Sequence, residues 1–296
     1  MILHDLVDNK LIHPPRWLPD NMAYLAIVGS ESYGANLPGT SDQDLQGFCI
    51  PPKSDVFPHL RGEIPGFGTP QKQFEYWEHH HVLDVNKREF DFAVYSIVKF
   101  FHLAMQNNPN ILDILCVPDN CVKHITGVGQ LVRDNRRMFF HAGCFDKFRG
   151  YASAQMAKIK SGANRSNVKR AASIETHGYD TKFLMHVCRL ALECEQILLT
   201  GDLNLKRDSQ FLLSVRRGDM TLEDGERWWA SKARDLETAY ANCRAVPREP
   251  DEDAIKRLLV QALEMHYGDL TAAVRLETPV EKLIAEMDKL VSKYRV

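Results

Sequence analysis

Apolar and polar positions along this chain follow two regimes. In the first, residues 24–28 and 45–50 are short apolar runs of strand length, and Pro51-Pro52 closes the second because proline cannot donate to a ladder. Residues 89–95 alternate strictly, as a strand with one buried face does. A run with apolar residues at helical spacing follows at once from Ser96, a good cap, until Asn107-Asn108-Pro109-Asn110 breaks it. A further short helix is predicted at 111–116. Residues 53–77 are rich in Pro and Gly with weak periodicity, and read as an irregular insertion near the mouth of a site.

From about residue 133 onward the second regime takes over and strands are no longer predicted. Helices are expected over 181–199, 208–217, 222–242, 254–267 and 279–294, with a Pro- and acid-rich link at 246–253. The pattern predicts an α+β fold, a mixed sheet with flanking helices followed by a mainly helical part. Its expected division is a catalytic domain over 1–135 and a helical nucleotide- and acceptor-binding domain over 136–296, with a cleft between them.

The chemistry sits where the first two strands meet. The first ends in Gly29-Ser30, and the second opens with Asp42-Gln43-Asp44. Residues two apart on a strand share a face, so both carboxylates point the same way. Two negative charges about 4 Å apart repel by roughly 4 kcal/mol at an effective dielectric near 20, so such a pair holds a proton or binds a cation. Hard oxygen donors favour Mg²⁺ or Mn²⁺ over Zn²⁺. Gly29 lets the backbone approach an anion closely, and Ser30 adds a hydroxyl and an amide.

Gly29-Ser30, eleven residues, then Asp42-x-Asp44 resembles the nucleotidyltransferase superfamily related to DNA polymerase β. The longer form, Gly29-Ser30-Glu31-Ser32-Tyr33-Gly34-Ala35-Asn36 with Ser41-Asp42-Gln43-Asp44-Leu45-Gln46-Gly47, is similar to the RNA-repair-associated RlaP-type members. Gln43 departs from the apolar or aromatic residues also common between the two Asp. The resemblance implies a third carboxylate on a later strand, which assigns Asp91. It further implies transfer of a nucleoside monophosphate from a nucleoside triphosphate to a hydroxyl, with pyrophosphate released and an RNA 3′ end as first choice of acceptor. A protein or small-molecule acceptor, or a non-catalytic nucleotide sensor, are the alternatives.

Two later stretches bear on substrate binding. Residues 147–174 carry seven Lys or Arg (Lys147, Arg149, Lys158, Lys160, Arg165, Lys169, Arg170) and no Asp or Glu, which suits either contact with triphosphate or a nucleic-acid backbone, or a solvated helix and loop whose charges pair with acids elsewhere. On the helix after Asp180, Lys182, His186, Arg189 and Glu193 form one stripe, and Leu184, Val187, Ala191, Cys194 and Leu198 another, apolar face. The resemblance implies that the polar stripe faces the nucleotide. Lys182 would then hold a terminal phosphate and His186 or Arg189 contact phosphate, base or acceptor, with Asp180 capping the helix or orienting Lys182. Three consecutive His cannot all face one ion from a strand, so His79-His80-His81 read as structural or substrate-facing.

Composition changes this picture little. The formal net charge is −2 over 296 residues, and no apolar run is long enough to span a bilayer. Seven cysteines without a Cys-x-x-Cys pair read as reduced thiols, the N-terminal residues do not resemble a secretory signal, and a cytoplasmic location is expected.

Overall fold

The computed structural model describes residues 1–37, 43–57, 73–161 and 168–268, together with residues 283 and 287. The elements run α1 (Ile2–Asp8), β1 (Met22–Ile27), α2 (Ser30–Tyr33), β2 (Gln43–Cys49), α3 (Lys53–Val56), β3 (Tyr76–Leu83), β4 (Glu89–Ser96), α4 (Ile97–Met105) and α5 (Pro109–Cys116). They continue with β5 (Val122–Ile125), α6 (Gly127–Asp134), α7 (Cys144–Ser161), α8 (Val168–His177), α9 (Thr181–Thr200), α10 (Ser209–Arg217), α11 (Leu222–Ala241) and α12 (Glu252–Tyr267).

The five strands form one mixed sheet in the order β3-β4-β2-β1-β5. β2 and β4 run parallel, and every other neighbouring pair is antiparallel. β1 lies near the middle and is buried along its whole length. β4 alternates instead: Phe90, Phe92, Val94 and Ser96 are buried, while Glu89, Asp91, Ala93 and Tyr95 are half-exposed. Phe90, Phe92 and Val94 drive that orientation, since burying each such side chain is worth about 1.5–3 kcal/mol.

Local chemistry sets the helix starts. Ser96 Oγ accepts the Lys99 N–H at 3.2 Å, and Asn108 Oδ1 accepts that of Asn110 at 3.1 Å with Pro109 as first helical residue. α4 then folds back on the sheet, its Phe100 ring 4.7 Å from that of Phe48 on β2. α9 packs against α7, α10 and α11. Leu184, Val187, Ala191, Cys194 and Leu198 of its expected apolar face are all buried. One continuous apolar core runs from Leu3 to Leu263 and joins the sheet to the helices.

The α+β class and the strands near 24, 45 and 89 agree with the pattern of the sequence. Two strands and several helices differ from it, α1 and α3 among them. β3 begins inside the stretch expected to be irregular and continues through the three histidines, while residues 58–72 of that stretch lie outside the described ones. β5 and α6 were not anticipated in the pattern; β5 is four residues long and two of them are Lys123 and His124. The helix expected over 279–294 also lies outside the described residues. Among the described residues no helix is long and apolar enough to cross a membrane. All seven cysteines are free thiols.

Candidate active site

The site forms where β1 gives way to α2. The Val28 N–H donates to the Asp44 carbonyl at 2.9 Å, holding β1 beside β2 to the last residue before the turn. Gly29 then adopts φ 74° and ψ −151°, a conformation open to glycine and few others. A Cβ built on it would stand 2.8 Å from Asp44 Oδ2. Glycine is therefore required twice here, for its backbone angles and for the space that the carboxylate occupies. The Gly-Ser turn and Asp44, distant in sequence, are in contact. Ser30 opens the single turn of α2, which the Ser32 hydroxyl closes by donating to the Gly29 carbonyl at 2.8 Å.

Asp44 and Asp91 are register partners on the parallel strands β2 and β4. Register partners in a sheet point to the same face, so both carboxylates stand side by side on its half-open face. The Asp91 side chain keeps 25% of its surface exposed. Its Oδ1 accepts the His81 N–H at 2.7 Å. That donor is available because β3 carries a bulge between His79 and Val82, with His81 at φ 58°. The His80 ring approaches the same oxygen, Nδ1 to Oδ1 3.7 Å, while His81 Nδ1 lies 2.6 Å from Glu89 Oε1.

Asp42 and Ser41 lie outside the described residues. Among the described residues no three His, Cys, Asp or Glu side chains group as a metal site. The residues present nonetheless suit a hard divalent cation: two carboxylates in register and half-open to solvent, that of Asp44 seated in the space left by the missing Cβ of Gly29.

The polar stripe of α9 divides. Asp180 caps the helix by accepting the Lys182 N–H at 2.9 Å, and Lys182 and His186 are half-buried in its first turns. Arg189 departs from the expected contact with phosphate, base or acceptor. It is 4% exposed, and its guanidinium is taken up by Asp113 of α5 and by Glu193 Oε2 at 3.1 Å, with the Tyr33 ring centroid 4.8 Å away. Tyr33 Oη donates to Asp113 Oδ2 at 2.6 Å, so the cluster ties α2, and with it the Gly-Ser turn, to α5 and α9. Burial pushes Asp113 and Glu193 up from the usual carboxylate range, against the lowering pull of Arg189. Burial acts the other way on Arg189, but Glu193, Tyr33 and Asp113 outweigh it and hold the guanidinium cationic. Asp113 was not singled out in the sequence, although a lone carboxylate inside Ile111-Leu112-Asp113-Ile114-Leu115 is a signal that a buried cation must meet it.

The basic stretch splits between α7 and α8, with residues 162–167 and the side chains of 168–170 outside the described part. On α7, Arg149 pairs with Glu237 at 3.4 Å and Lys160 with Glu226 at 3.1 Å, both acids on α11. Lys147 and Lys158 are solvent-exposed. A separate cleft of about 700 Å³ lies away from the carboxylates, between α6 and the end of α9, with Arg133, Arg136 and Arg207 among its walls. Those arginines face Asp119, Asp202 and Asp208 at 2.9, 3.1 and 2.8 Å, so the cleft is largely charge-matched by the protein itself.

A relative from Enterobacteria phage T4, an uncharacterized 38.9 kDa protein of the nrdC-mobD intergenic region, is 26% identical over 135 residues. That match covers 45% of this chain and 37% of the phage protein. A solved nucleotidyltransferase-like protein from Exiguobacterium sibiricum 255-15 aligns over 90% of this chain and 79% of its own, at 11% identity and a TM-score of 0.28, too weak a likeness to support an assignment. The family model described as RlaP, RNA repair pathway DNA polymerase beta family, matches residues 18–261. The chain belongs to that family, and so to the polymerase-β-like nucleotidyltransferases.

Proposed function

We propose that this protein transfers a nucleoside monophosphate from a nucleoside triphosphate to a hydroxyl, an RNA 3′ end, with release of pyrophosphate. The observation that carries the reading is the contact of Gly29 with Asp44 beside the register partner Asp91. An anion-binding turn and two metal-type carboxylates meet on one face of the sheet.

Asp42, Asp44 and Asp91 would hold Mg²⁺ or Mn²⁺. Bound there, the metal supplies charge stabilisation to the attacking and leaving oxygens of an in-line displacement at the α-phosphorus. Gly29, Ser30 and Ser41 hold the β- and γ-phosphates with backbone and hydroxyl donors. Lys182 neutralises the terminal phosphate, and His186, one turn along α9, contacts phosphate, base or acceptor. Arg189 acts at one remove, fixing Tyr33 and so the turn that begins at Gly29. In the reaction the acceptor oxygen forms a bond to the α-phosphorus, the bond to pyrophosphate breaks, and Asp91 takes the hydroxyl proton.

Residues 1–135 supply the carboxylates and the turn, and 136–296 supply α9 and the basic helix α7, so the two parts act as catalytic and binding domains. The unpaired thiols suit a protein of the cytoplasm. The test is transfer of each α-labelled nucleotide, with Mg²⁺ or Mn²⁺, to total RNA and to total protein, beside a variant with Asp42→Ala and Asp44→Ala together. Label in RNA that the variant loses is the expected result. Label in protein alone moves the acceptor, and bound nucleotide with no label in RNA or protein overturns the RNA reading in favour of a small-molecule acceptor or a non-catalytic sensor.

A further inference from the structure

The reaction above leaves the three consecutive histidines unused, although the sheet brings two of them to its edge. β3 pairs with β4 through His79 with Phe92 and through Val82 with Phe90. His80 and His81 therefore both stand opposite one residue, Asp91. In a regular strand consecutive side chains turn to opposite faces. At this bulge both rings meet carboxylates of β4, His80 Nδ1 lying 3.7 Å from Asp91 Oδ1 and His81 Nδ1 2.6 Å from Glu89 Oε1.

His81 adopts φ 58°, in the left-handed region that few residues with a Cβ enter, so its surroundings must hold it there. The hairpin end supplies the frame. Asp84 accepts the N–H groups of Asn86 and Arg88 at 2.8 and 2.9 Å and that of Arg88 Nε at 2.8 Å, which fixes the turn beside the pair Leu83 and Glu89. Glu89 lies two residues before Asp91 on the same half-exposed face of β4 and takes up the His81 ring. A carboxylate only accepts, so Nδ1 of His81 donates. The backbone N–H of His81 is thereby turned onto Asp91 Oδ1 at 2.7 Å. Among the described residues Asp91 Oδ2 accepts no hydrogen bond and makes no ion pair.

We infer that Glu89, acting through the imidazole of His81, is a positioning residue for Asp91. The inference rests on the place given to Asp91 as a metal ligand in the transfer reading above. The contact between Glu89 and His81 keeps the bulge in the conformation that points its N–H at Oδ1. With that oxygen engaged, the carboxylate no longer turns freely about its last bond, and Oδ2 is left to a divalent cation. Partners that stand behind a metal-binding carboxylate set its orientation, and losing one costs about ten- to a hundredfold in metal affinity.

The experiment is a Mn²⁺ titration of the full chain without nucleotide, with the bound ion read by electron paramagnetic resonance, beside label transfer. Glu89→Ala raises the Mn²⁺ Kd about tenfold. Glu89→Gln removes the charge but keeps an acceptor for Nδ1, and restores most of the affinity. His81→Gly keeps an N–H in a residue free to adopt a positive φ, and on that background Glu89→Ala has no further effect. His81 is 78% exposed on an edge strand, and thermal melting checks that each variant is folded. Unchanged affinity in Glu89→Ala, an equal loss on the His81→Gly background, or Glu89→Gln as weak as Glu89→Ala overturns the positioning role. So does a wild-type chain that binds no Mn²⁺, whatever label transfer shows. The expected pattern of Mn²⁺ affinities in a wild type that transfers no label overturns the transfer reading and leaves the positioning role standing.

Discussion

Two groups of carboxylates in this molecule differ in what surrounds them. Asp44 and Asp91 stand in register on a half-open sheet face. Asp113 and Glu193 are sealed in the interior around Arg189, 1% and 3% exposed. The first group stays accessible to solvent, or to a ligand that replaces it, although Asp91 also accepts the His81 N–H. In the second the protein supplies its own counter-ion. Residue type and spacing look alike in the two cases, and access to solvent separates a site that accepts a cation from one that already contains its own.

Substitutions break the comparison in opposite ways. Asp44→Asn is expected to lower the rate of label transfer by about a thousandfold, the several kcal/mol that carboxylate-held metal contributes, with no loss in thermal midpoint. An unchanged rate would remove Asp44 from the chemistry. Arg189→Met reverses the pattern, with about 3–5 kcal/mol lost in denaturant unfolding because Asp113 is left buried without its cation. Adding Asp113→Asn recovers part of that loss, and strict additivity of the two changes would contradict a shared cluster.

Gly29→Ala sharpens the link between turn and carboxylate. It forces a Cβ against Asp44 Oδ2 at a backbone conformation unsuited to alanine, and is expected to cost about 1–3 kcal/mol in stability together with triphosphate affinity. In an Asp44→Ala background the contact part of that penalty disappears and the backbone part stays.

The smallest effect is on pH. Burial raises Glu193 above the ordinary carboxylate value, so between that value and its raised one the folded state holds a proton that the unfolded chain has released. Stability from this group is full below the ordinary carboxylate value and falls as pH rises toward the folded one. Glu193→Gln removes the titration and flattens that fall, measured as unfolding midpoints from about pH 5 to about pH 9. A wild-type decline that the variant leaves unchanged would place its origin elsewhere.

What the sequence made legible follows from the same contrast. β1, β2 and β4 could be read because burial of one or both faces writes runs or alternation into residues 22–27, 43–49 and 89–96. β3 could not, since it is an edge strand whose Tyr76, Glu78, His80 and His81 face solvent and leave little apolar period to detect. Its contact with Asp91 runs through a backbone N–H, which no side-chain pattern encodes. Arg189 had the spacing of a ligand-facing residue, and only Asp113, distant in sequence and brought in by α5, decides that it faces inward. Asp42 and Ser41 stay as the sequence left them, proposals from their motif.

The bulge at His80 and His81 has a second consequence at the margin of the sheet. Among the described residues β3 is the outermost strand on one side, a row of backbone groups that another chain's strand could extend. An extra residue twists that row out of register, and exposed charged and imidazole side chains line it, so the feature that turns an N–H toward Asp91 also makes the edge a poor template for aggregation. On the other side β5 ends after four residues and offers little length to copy. Among the described residues, the sheet discourages further strands at one end by distortion and at the other by brevity.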